Sequence, residues 1–348
     1  MDRLHDPATR TFASDNYAGA HPEVLSAIEA ANVGYARSYG ADVWTARLDE
    51  VVRRHFGPES EAYPVFNGTG ANVVALQALL PKWGAVICSD GAHVHTDEGG
   101  APERVAAMKL LTVPTTDGKL TVDLVDRQAW GFGDEHRAQP AAVSLTEASE
   151  VGTVYRPEEV RALADHAHAL GLAVHMDGSR LANAAASLGT GLAELTSEAG
   201  VDVVSLGGTK NGALFAEAVV VVNADAVQGV KYLRKMDTQL ASKMRFISAQ
   251  LLALYDGDLW LRSARHANEM ARLLAAGLSS VQGVELAQPT EANGVFARFP
   301  QGVAGGLRRR FHFYDWNGST GEVRLMCSWA TTPDDVAALV AAAKEAAG

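Results

Sequence analysis

The sequence predicts an α/β protein with a mostly parallel sheet sandwiched by helices, followed by a smaller α+β C-terminal domain. Short apolar runs rich in Val, Ile and Leu alternate with helical patterns through most of the chain, as in a parallel sheet buried on both faces. Later in the chain the pattern changes to long helices and sparse strands. This change predicts two domains, residues 1–250 and 251–348.

Seven apolar runs are predicted to be strands of the large sheet, because each is short and is bounded by Gly, Pro or polar residues. They cover residues 62–66, 85–88, 109–113, 141–145, 172–176, 201–206 and 216–222. The clearest helical pattern covers 157–170, with Pro157 and two glutamates in the first turn and Gly171 at the end. Further helices are predicted over 229–256, 259–280 and 333–347, with two C-terminal strands at 295–299 and 323–328.

Composition limits the classes of partner and compartment. The chain has 348 residues and a formal net charge of −11, whereas nucleic-acid-binding proteins need clustered Lys and Arg. The two cysteines, Cys88 and Cys327, lie in apolar runs and form no secreted disulfide framework. The start is polar, and no apolar run approaches the roughly 20 residues that cross a bilayer. We therefore expect a cytoplasmic protein with no nucleic-acid or membrane partner.

Polar residues follow several predicted strands, at the edge of the sheet where open α/β sheets bind ligands. The first group, Asn67-Gly68-Thr69-Gly70, stands between a strand and a helix, where free N–H groups favour a phosphate. A dinucleotide site is an alternative, since Asp90 lies where a ribose-binding acid is expected. However, Val73 replaces the third glycine of G-x-G-x-x-G. A tight turn without a ligand also stays open.

The segment His93-Val94-His95 offers two interpretations. On an extended segment both imidazoles would face the same way and could bind zinc, with Asp97 and Glu98 following, so a metal-dependent hydrolase is an alternative. An imidazole can instead stack on a flat cofactor ring or act as a general base near neutral pH.

Asp177 and Lys210 stand at the ends of two successive predicted strands. Asp177 is either a helix cap or an acid that pairs with the ring nitrogen of a cofactor. Lys210 follows the open turn Gly207-Gly208-Thr209, from which its amine can form a Schiff base with a bound aldehyde. Together the two residues predict pyridoxal 5'-phosphate, whose protonated ring is an electron sink.

These motifs and others, in the same order along nearly the whole chain, resemble those of the low-specificity L-threonine aldolases. That family belongs to the fold-type-I pyridoxal-phosphate enzymes, so the resemblance implies that residues 1–250 form an N-terminal arm and a cofactor-binding domain. The matching segments are Ser14-Asp15-Asn16, Tyr39-Gly40-Ala41-Asp42, Asn67-Gly68-Thr69-Gly70-Ala71-Asn72, Ala92-His93, Asp177-Gly178-Ser179-Arg180, Thr209-Lys210-Asn211-Gly212, Met244-Arg245 and Val323-Arg324-Leu325.

The resemblance also implies which residues bind the cofactor. They are Lys210 as the covalent attachment, Asp177 at the ring nitrogen, Arg180 at the phenolic oxygen, His93 stacked on the ring, Gly68 and Thr69 at the phosphate, and Arg245 joining them from a neighbouring subunit.

For the substrate, the resemblance implies that Ser14 and Arg324 bind the carboxylate and that Tyr39 lies near the site. His93 or His136 would handle the β-hydroxyl proton. One departure follows Glu147, the acid after the predicted strand 141–145. Many relatives continue with Asn-Thr-His after this acid, whereas this chain continues with Ala148-Ser149-Glu150.

The activity implied is the cleavage of L-threonine or L-allo-threonine, and of related compounds such as phenylserine, to glycine and an aldehyde. The implied assembly is a homotetramer, a dimer of dimers with shared active sites, and no metal site is assigned. The alternatives are another fold-type-I enzyme, either a β-eliminating lyase or a hydroxymethyltransferase, a metal-dependent hydrolase, and a catalytically silent cofactor-binding protein.

Overall fold

The computed structural model describes residues 4–347. Its large sheet contains β1 (Glu61–Val65), β2 (Gly84–Ser89), β3 (Lys109–Val113), β4 (Gln139–Thr146), β5 (Ala173–Gly178), β6 (Val203–Leu206) and β7 (Glu217–Val221). The strands are arranged in the order β1-β7-β6-β5-β4-β2-β3. Only β7 runs antiparallel to its neighbours, so the predicted mostly parallel sheet is confirmed.

Helices cover this sheet because its strands are apolar on both faces, as the buried patterns of β2 and β7 illustrate. The helices of this part are α1 (Pro22–Ala31), α2 (Val43–Phe56), α3 (Gly68–Leu79), α4 (His93–Thr96), α5 (Ala101–Arg104), α6 (Val122–Asp126), α7 (Pro157–Ala169), α8 (Leu181–Leu188), α9 (Leu192–Leu195), α10 (Val230–Met236) and α11 (Arg245–Tyr255). Short 3-10 turns cover Asp15–Tyr17, Ser197–Ala199, Thr209–Asn211 and Ala224–Ala226.

The single helix predicted over 229–256 is wrong, because the structure has two helices, α10 and α11, separated by a loop. The N–H of Asp237 donates to Leu233 O at 2.8 Å and ends α10, and Thr238 then has a φ of +63°. A left-handed residue cannot continue an α-helix. The loop brings Gln239 to the beginning of α3, where its side chain lies against Gly70.

The C-terminal part contains α12 (Leu259–Ser279), β8 (Glu285–Leu286), β9 (Gly294–Arg298), α13 (Val303–Leu307), β10 (Tyr314–Asn317), β11 (Glu322–Met326) and α14 (Pro333–Ala347). Its strands form an antiparallel sheet in the order β10-β11-β9-β8. The sequence predicted β9 and β11 but not β8 and β10. Both missed strands are short and largely exposed, so they lack the apolar pattern that marks a buried strand.

Two apolar cores meet along α12. Ala264 packs with the core of the large sheet, whereas Met270 and Leu274 pack with β9, β11 and α14. Phe12 of the N-terminal arm is fully buried in this second core. The boundary at residue 250 stays a prediction, and the change of core partner falls somewhat later, within α12.

Cys88 and Cys327 are both buried and free, and burial raises the pKa of Cys88 to about 12. Between residues 4 and 347, no helix combines the length and apolar character needed to span a membrane.

Candidate active site

A cavity of about 310 Å³ opens where β5 and β6 end and α3 begins. The structure brings four of the predicted site residues to its walls: Gly68, Thr69, His93 and Lys210. This position agrees with the rule that open α/β sheets bind ligands outside the carboxyl ends of their strands.

The turn before Lys210 requires two glycines because the backbone is closely approached there. A Cβ on Gly207 would lie 2.5 Å from the carbonyl oxygen of Ser179, and one on Gly208 would lie 2.3 Å from that of Ala216. Real Cβ atoms do not approach backbone oxygens so closely, so any side chain would push the turn away from the sheet. The two glycines thus place Lys210 at the cavity.

Glu217, the first residue of β7, holds the same turn through hydrogen bonds to its backbone. Its carboxylate accepts the N–H groups of Gly208 at 2.6 Å and Thr209 at 3.3 Å. Burial raises the pKa of Glu217 to about 7, although these hydrogen bonds and the charge of Lys210 oppose the rise. Thr209, which directly precedes Lys210, is therefore held by the Glu217 carboxyl group, whose pKa is about 7.

Asp177, near the end of β5, is a buried anion beside the cavity, with 2% of its surface exposed. Its Oδ1 accepts hydrogen bonds from Ser179 N (3.1 Å) and Oγ (2.7 Å), and its Oδ2 accepts one from Asn72 Nδ2 (3.0 Å). Burial alone would raise the pKa of Asp177, but the Lys210 charge and the Ser179 hydrogen bond hold it below its ordinary value. The residue that caps α8 is Arg180, so the helix-cap interpretation of Asp177 is wrong.

His93 is joined to Asp177 through two side chains. Its Nδ1 lies 2.9 Å from Glu98 Oε1, and Asn72 Nδ2 donates both to that oxygen, at 2.8 Å, and to Asp177. The hydrogen bond to Glu98 raises the pKa of His93 against the opposing effect of burial. Asn72 Oδ1 and Glu98 Oε2 are buried with no hydrogen-bond partner among the described residues.

The extended His-x-His segment expected from the sequence is wrong. Residues His93–Thr96 form a helical turn, so His93 is half-buried at the cavity while His95 is exposed. The two imidazoles therefore do not share a face, which removes the basis of the zinc interpretation. Within residues 4–347, no group of three or more His, Cys, Asp or Glu side chains is arranged to hold a metal ion.

The beginning of α3 forms an anion cradle. Asn67 caps the helix by accepting the N–H of Gly70 at 2.7 Å, which leaves the N–H groups of Gly68 and Thr69 outside this cap, at the cavity wall. A Cβ on Gly70 would lie 2.3 Å from Gln239 Cδ. Gly70 is therefore required by the close approach of Gln239, whereas a Cβ on Gly68 would make only an ordinary contact with Ser179 Oγ at 3.7 Å.

Arg180 is held by the N-terminal arm. Its Nε and Nη2 donate to the two carboxylate oxygens of Asp15 at 2.7 and 3.0 Å, and both side chains are buried. Burial would raise the pKa of Asp15, but the charges of Arg180 and Lys210 lower it. Asp15 is thus a fixed anion that connects the arm to the cavity.

Arg324, on β11, lies beside this pair at the junction with the C-terminal sheet. Its side chain is only 13% exposed, and its Nη1 is 3.9 Å from Glu150 Oε2. Burial and the neighbouring charge of Arg180 lower the pKa of Arg324, whereas Glu150 opposes this effect. A buried guanidinium of this kind suits a carboxylate ligand.

Seven predicted site residues are not among those that line the 310 Å³ cavity of their own chain: Asp177, Arg180 and Arg324, described above, and Ser14, Tyr39, Arg245 and His136. Ser14 caps the first 3-10 turn and lines a separate cavity of about 710 Å³. Tyr39 is 52% exposed with a φ of +58°, and Arg245 begins α11. His136 is exposed just before β4, at the opposite edge of the sheet from the cavity.

Sequence reasoning assigned no role at this site to Asp15, Asn72, Glu150 or Glu217, and proposed Glu98 only as a metal neighbour. Two signals were available. Asn72 interrupts an otherwise apolar helix, and Glu217 interrupts an apolar strand run, so both are polar groups at buried positions.

Comparison with known proteins gives consistent results. Residues 11–300 match the model of the beta-eliminating lyase family. The chain is 47% identical to the low specificity L-threonine aldolase of Pseudomonas aeruginosa, over 93% of this chain and 94% of that protein. It is 45% identical to the protein of the same name from a Pseudomonas species, over 96% of both. The solved threonine aldolase of Leishmania major covers 97% of this chain and 100% of its own, with a TM-score of 0.91 and 28% identity.

Fold and site together define a fold-type-I enzyme, with a lysine at a cavity outside the carboxyl ends of a mostly parallel sheet and a buried aspartate beside that cavity. The chain belongs to the beta-eliminating lyase family and, within it, to the low-specificity L-threonine aldolases. Members of this family are pyridoxal-phosphate enzymes, and the resemblance predicted from the motifs is confirmed.

Proposed function

We propose that this enzyme uses pyridoxal 5'-phosphate to cleave L-threonine, L-allo-threonine and related β-hydroxy-α-amino acids such as phenylserine, giving glycine and an aldehyde. The observation that carries the proposal is that Lys210 lines the cavity while the buried Asp177, whose pKa the Lys210 charge lowers, lies behind its wall, hydrogen-bonded to the lining residues Asn72 and Ser179. The first supplies an amine for a carbonyl group, and the second supplies a fixed negative charge for a protonated ring.

The cavity fits such a cofactor in three respects. Its volume of about 310 Å³ lies within the range of small-molecule sites, and the free N–H groups of Gly68 and Thr69 suit a phosphate. Buried oxygens of Asn72 and Glu98, which have no hydrogen-bond partner among residues 4–347, leave hydrogen-bonding capacity at the wall. The residues proposed to hold the cofactor are Lys210, Asp177, Arg180, Gly68, Thr69 and His93, with Arg245 from a neighbouring subunit.

The remaining chemistry belongs to the protein's own side chains. The bound cofactor supplies an electron sink for the charge left at Cα when the Cα–Cβ bond breaks. Arg324 holds the substrate carboxylate through its paired N–H donors, with Ser14 and Tyr39 proposed nearby. His93, the histidine at the cavity, removes the β-hydroxyl proton so that the aldehyde can leave. His136 remains the second candidate base, but its exposed position before β4 favours His93.

The role of His93 predicts a change in the pH profile when Glu98 is replaced by glutamine. The Glu98 carboxylate raises the pKa of His93, and a base works only when neutral, so its removal should shift the acid limb of kcat/KM to lower pH. A hydrogen bond to a charged group is worth about 1.5–3 kcal/mol, so a shift of about 1–2 pH units is expected.

The measurement is kcat/KM for L-threonine from about pH 5 to pH 9. Glu103→Gln, which removes an exposed acid of α5, serves as the control and should leave the limb in place. An acid limb that stays fixed or moves upward in Glu98→Gln would assign the base to another group.

Direct product analysis tests the proposed function. The purified protein should be yellow. With either L-threonine or L-allo-threonine as substrate, it should release one molecule of acetaldehyde for each molecule of glycine. Release of ammonia and a 2-oxo acid instead would favour the β-eliminating alternative. Rates for both isomers and for phenylserine would establish which aldehyde and which β-carbon configuration the enzyme prefers.

We also propose a homotetramer, a dimer of dimers with shared active sites, located in the cytoplasm. Two features support shared sites: Tyr39 and Arg245 are not among the residues that line the cavity of their own chain, and several large apolar side chains are exposed. Exposed apolar surface of this extent usually marks an interface. The exposed residues are Val33 (82%), Tyr35 (108%), Val43 (77%) and Phe215 (48%).

The proposed location rests on the cysteines. Both are free and buried, which fits a reducing compartment, and cell fractionation would test this.

Shared sites predict complementation between two inactive variants. In a hybrid of Lys210→Ala and Arg245→Ala chains, one of the two sites has both native residues. Coexpression at equal levels should therefore restore about a quarter of wild-type activity. Light scattering should return about four times the chain mass of 36.8 kDa. Absence of complementation, with both variants folded, would place Arg245 outside the shared site.

A further inference from the structure

Glu150 and Arg324 form a largely buried pair. Their side chains are 10% and 13% exposed, and the closest approach, from Arg324 Nη1 to Glu150 Oε2, is 3.9 Å. This distance gives strong charge attraction but is too long for a hydrogen bond. Arg324 Nε is buried and has no hydrogen-bond partner among residues 4–347.

The other neighbours of Arg324 do not supply an acceptor. Its guanidinium lies over the rings of Trp316 and Tyr314, at 4.9 and 5.5 Å from their centroids. Such contacts hold the charge in place without satisfying the N–H groups. A buried guanidinium with free donors is suited to a carboxylate that arrives from outside.

Two carboxylates, Asp15 and Glu150, act on the charge of Arg324. Asp15 is committed to Arg180 by two hydrogen bonds, so Glu150 is the anion left for Arg324. The small cavity that both Glu150 and Arg324 line measures about 10 Å³, which is barely the space of one water molecule. A carboxylate can bind Arg324 there only if Glu150 moves away.

We propose that Glu150 is an internal counter-ion of Arg324, which the α-carboxylate of the substrate must displace. This proposal rests on the proposed function, because it takes the α-carboxylate of the amino-acid substrate as the ligand of Arg324. Glu150 thereby weakens binding of every carboxylate and acts on substrate affinity, while the bond-breaking step depends on other residues.

The test compares the wild-type holoenzyme with Glu150→Gln, which keeps size and removes charge. KM for L-threonine should fall about fivefold, with kcat changed by less than about twofold. Calorimetry with 3-hydroxybutyrate, which is threonine without its amine and cannot react, should show a dissociation constant about fivefold lower. The neutral 3-hydroxybutyramide should bind both proteins alike. Glu158→Gln, an exposed acid in the first turn of α7, should change none of these values.

Two results would overturn the inference: an unchanged or weaker affinity of Glu150→Gln for 3-hydroxybutyrate, or a large loss of kcat at constant KM. Glu150→Asp, which retains the charge, should keep the wild-type affinity, and Glu150→Ala replaces the glutamine variant if that one does not fold. Calorimetry distinguishes a failure of this proposal from a failure of the proposed aldolase activity. If Glu150→Gln binds 3-hydroxybutyrate more tightly but the wild-type enzyme releases no glycine, the counter-ion role of Glu150 is supported and the aldolase activity is refuted.

Discussion

Replacement of Lys210 by alanine is expected to lower glycine release from L-threonine by at least about 10³-fold, because no other amine of the described chain lines the cavity. The side chain leaves a two-glycine turn that is fixed by Glu217 and by the backbone of Ser179 and Ala216, so the backbone should not depend on it. Circular dichroism and thermal unfolding should therefore resemble those of the wild type. The measurement is the initial rate of glycine formation at saturating substrate.

Two further lysine variants make this result interpretable. Lys210→Arg keeps the positive charge near Asp177 and Asp15 but removes the nucleophilic amine, so it should be as inactive as the alanine variant. Lys119→Ala removes a lysine that pairs with Glu159 outside the cavity, and it should keep its turnover. An active Lys210→Arg would show that only the charge matters, which contradicts the proposed role.

The second large effect is expected for Asp177→Asn. This change keeps the shape of the side chain and an acceptor for the Ser179 hydrogen bonds, but it removes the buried charge that Lys210 stabilises. Loss of one preorganised charge at a reacting centre costs on the order of 10²–10³-fold in kcat. The measurement is kcat for L-threonine, together with the absorbance of the bound cofactor.

A matched control exists at the other edge of the same sheet. Asp202 is also buried, with 3% exposure, and accepts the N–H of Val174 at the beginning of β5, far from the cavity. Asp202→Asn should lower the free energy of unfolding by about 1–3 kcal/mol while kcat stays near the wild-type value. Similar kcat losses in both variants would indicate that Asp177 acts through the fold.

The sequence predicted the large sheet well because its strands are short, apolar and buried on both faces. All seven predicted runs overlap observed strands, and 109–113 corresponds to β3 over its full length. The errors occurred where local pattern was not decisive. The helical pattern of 229–256 does not reveal the left-handed Thr238, and the exposed β8 and β10 carry no apolar signal.

The site could be predicted in part, because residues that directly follow buried strands must converge at one edge of a sheet. This logic brought Gly68, His93 and Lys210 together, as the structure does. It could not supply the partners Glu98 and Glu150, whose positions depend on how loops fold back. Nor could it show that His95 turns away, since a four-residue helix leaves little trace in a sequence.

Borohydride reduction of the holoenzyme, followed by peptide mapping, tests the central claim most directly. Reduction should fix the cofactor on the protein, abolish activity, and place the added mass on the peptide that contains Lys210, with none on that residue in Lys210→Arg. Activity that survives reduction, or a label found on another lysine such as Lys119 or Lys243, would contradict the assignment of Lys210 as the cofactor-binding residue.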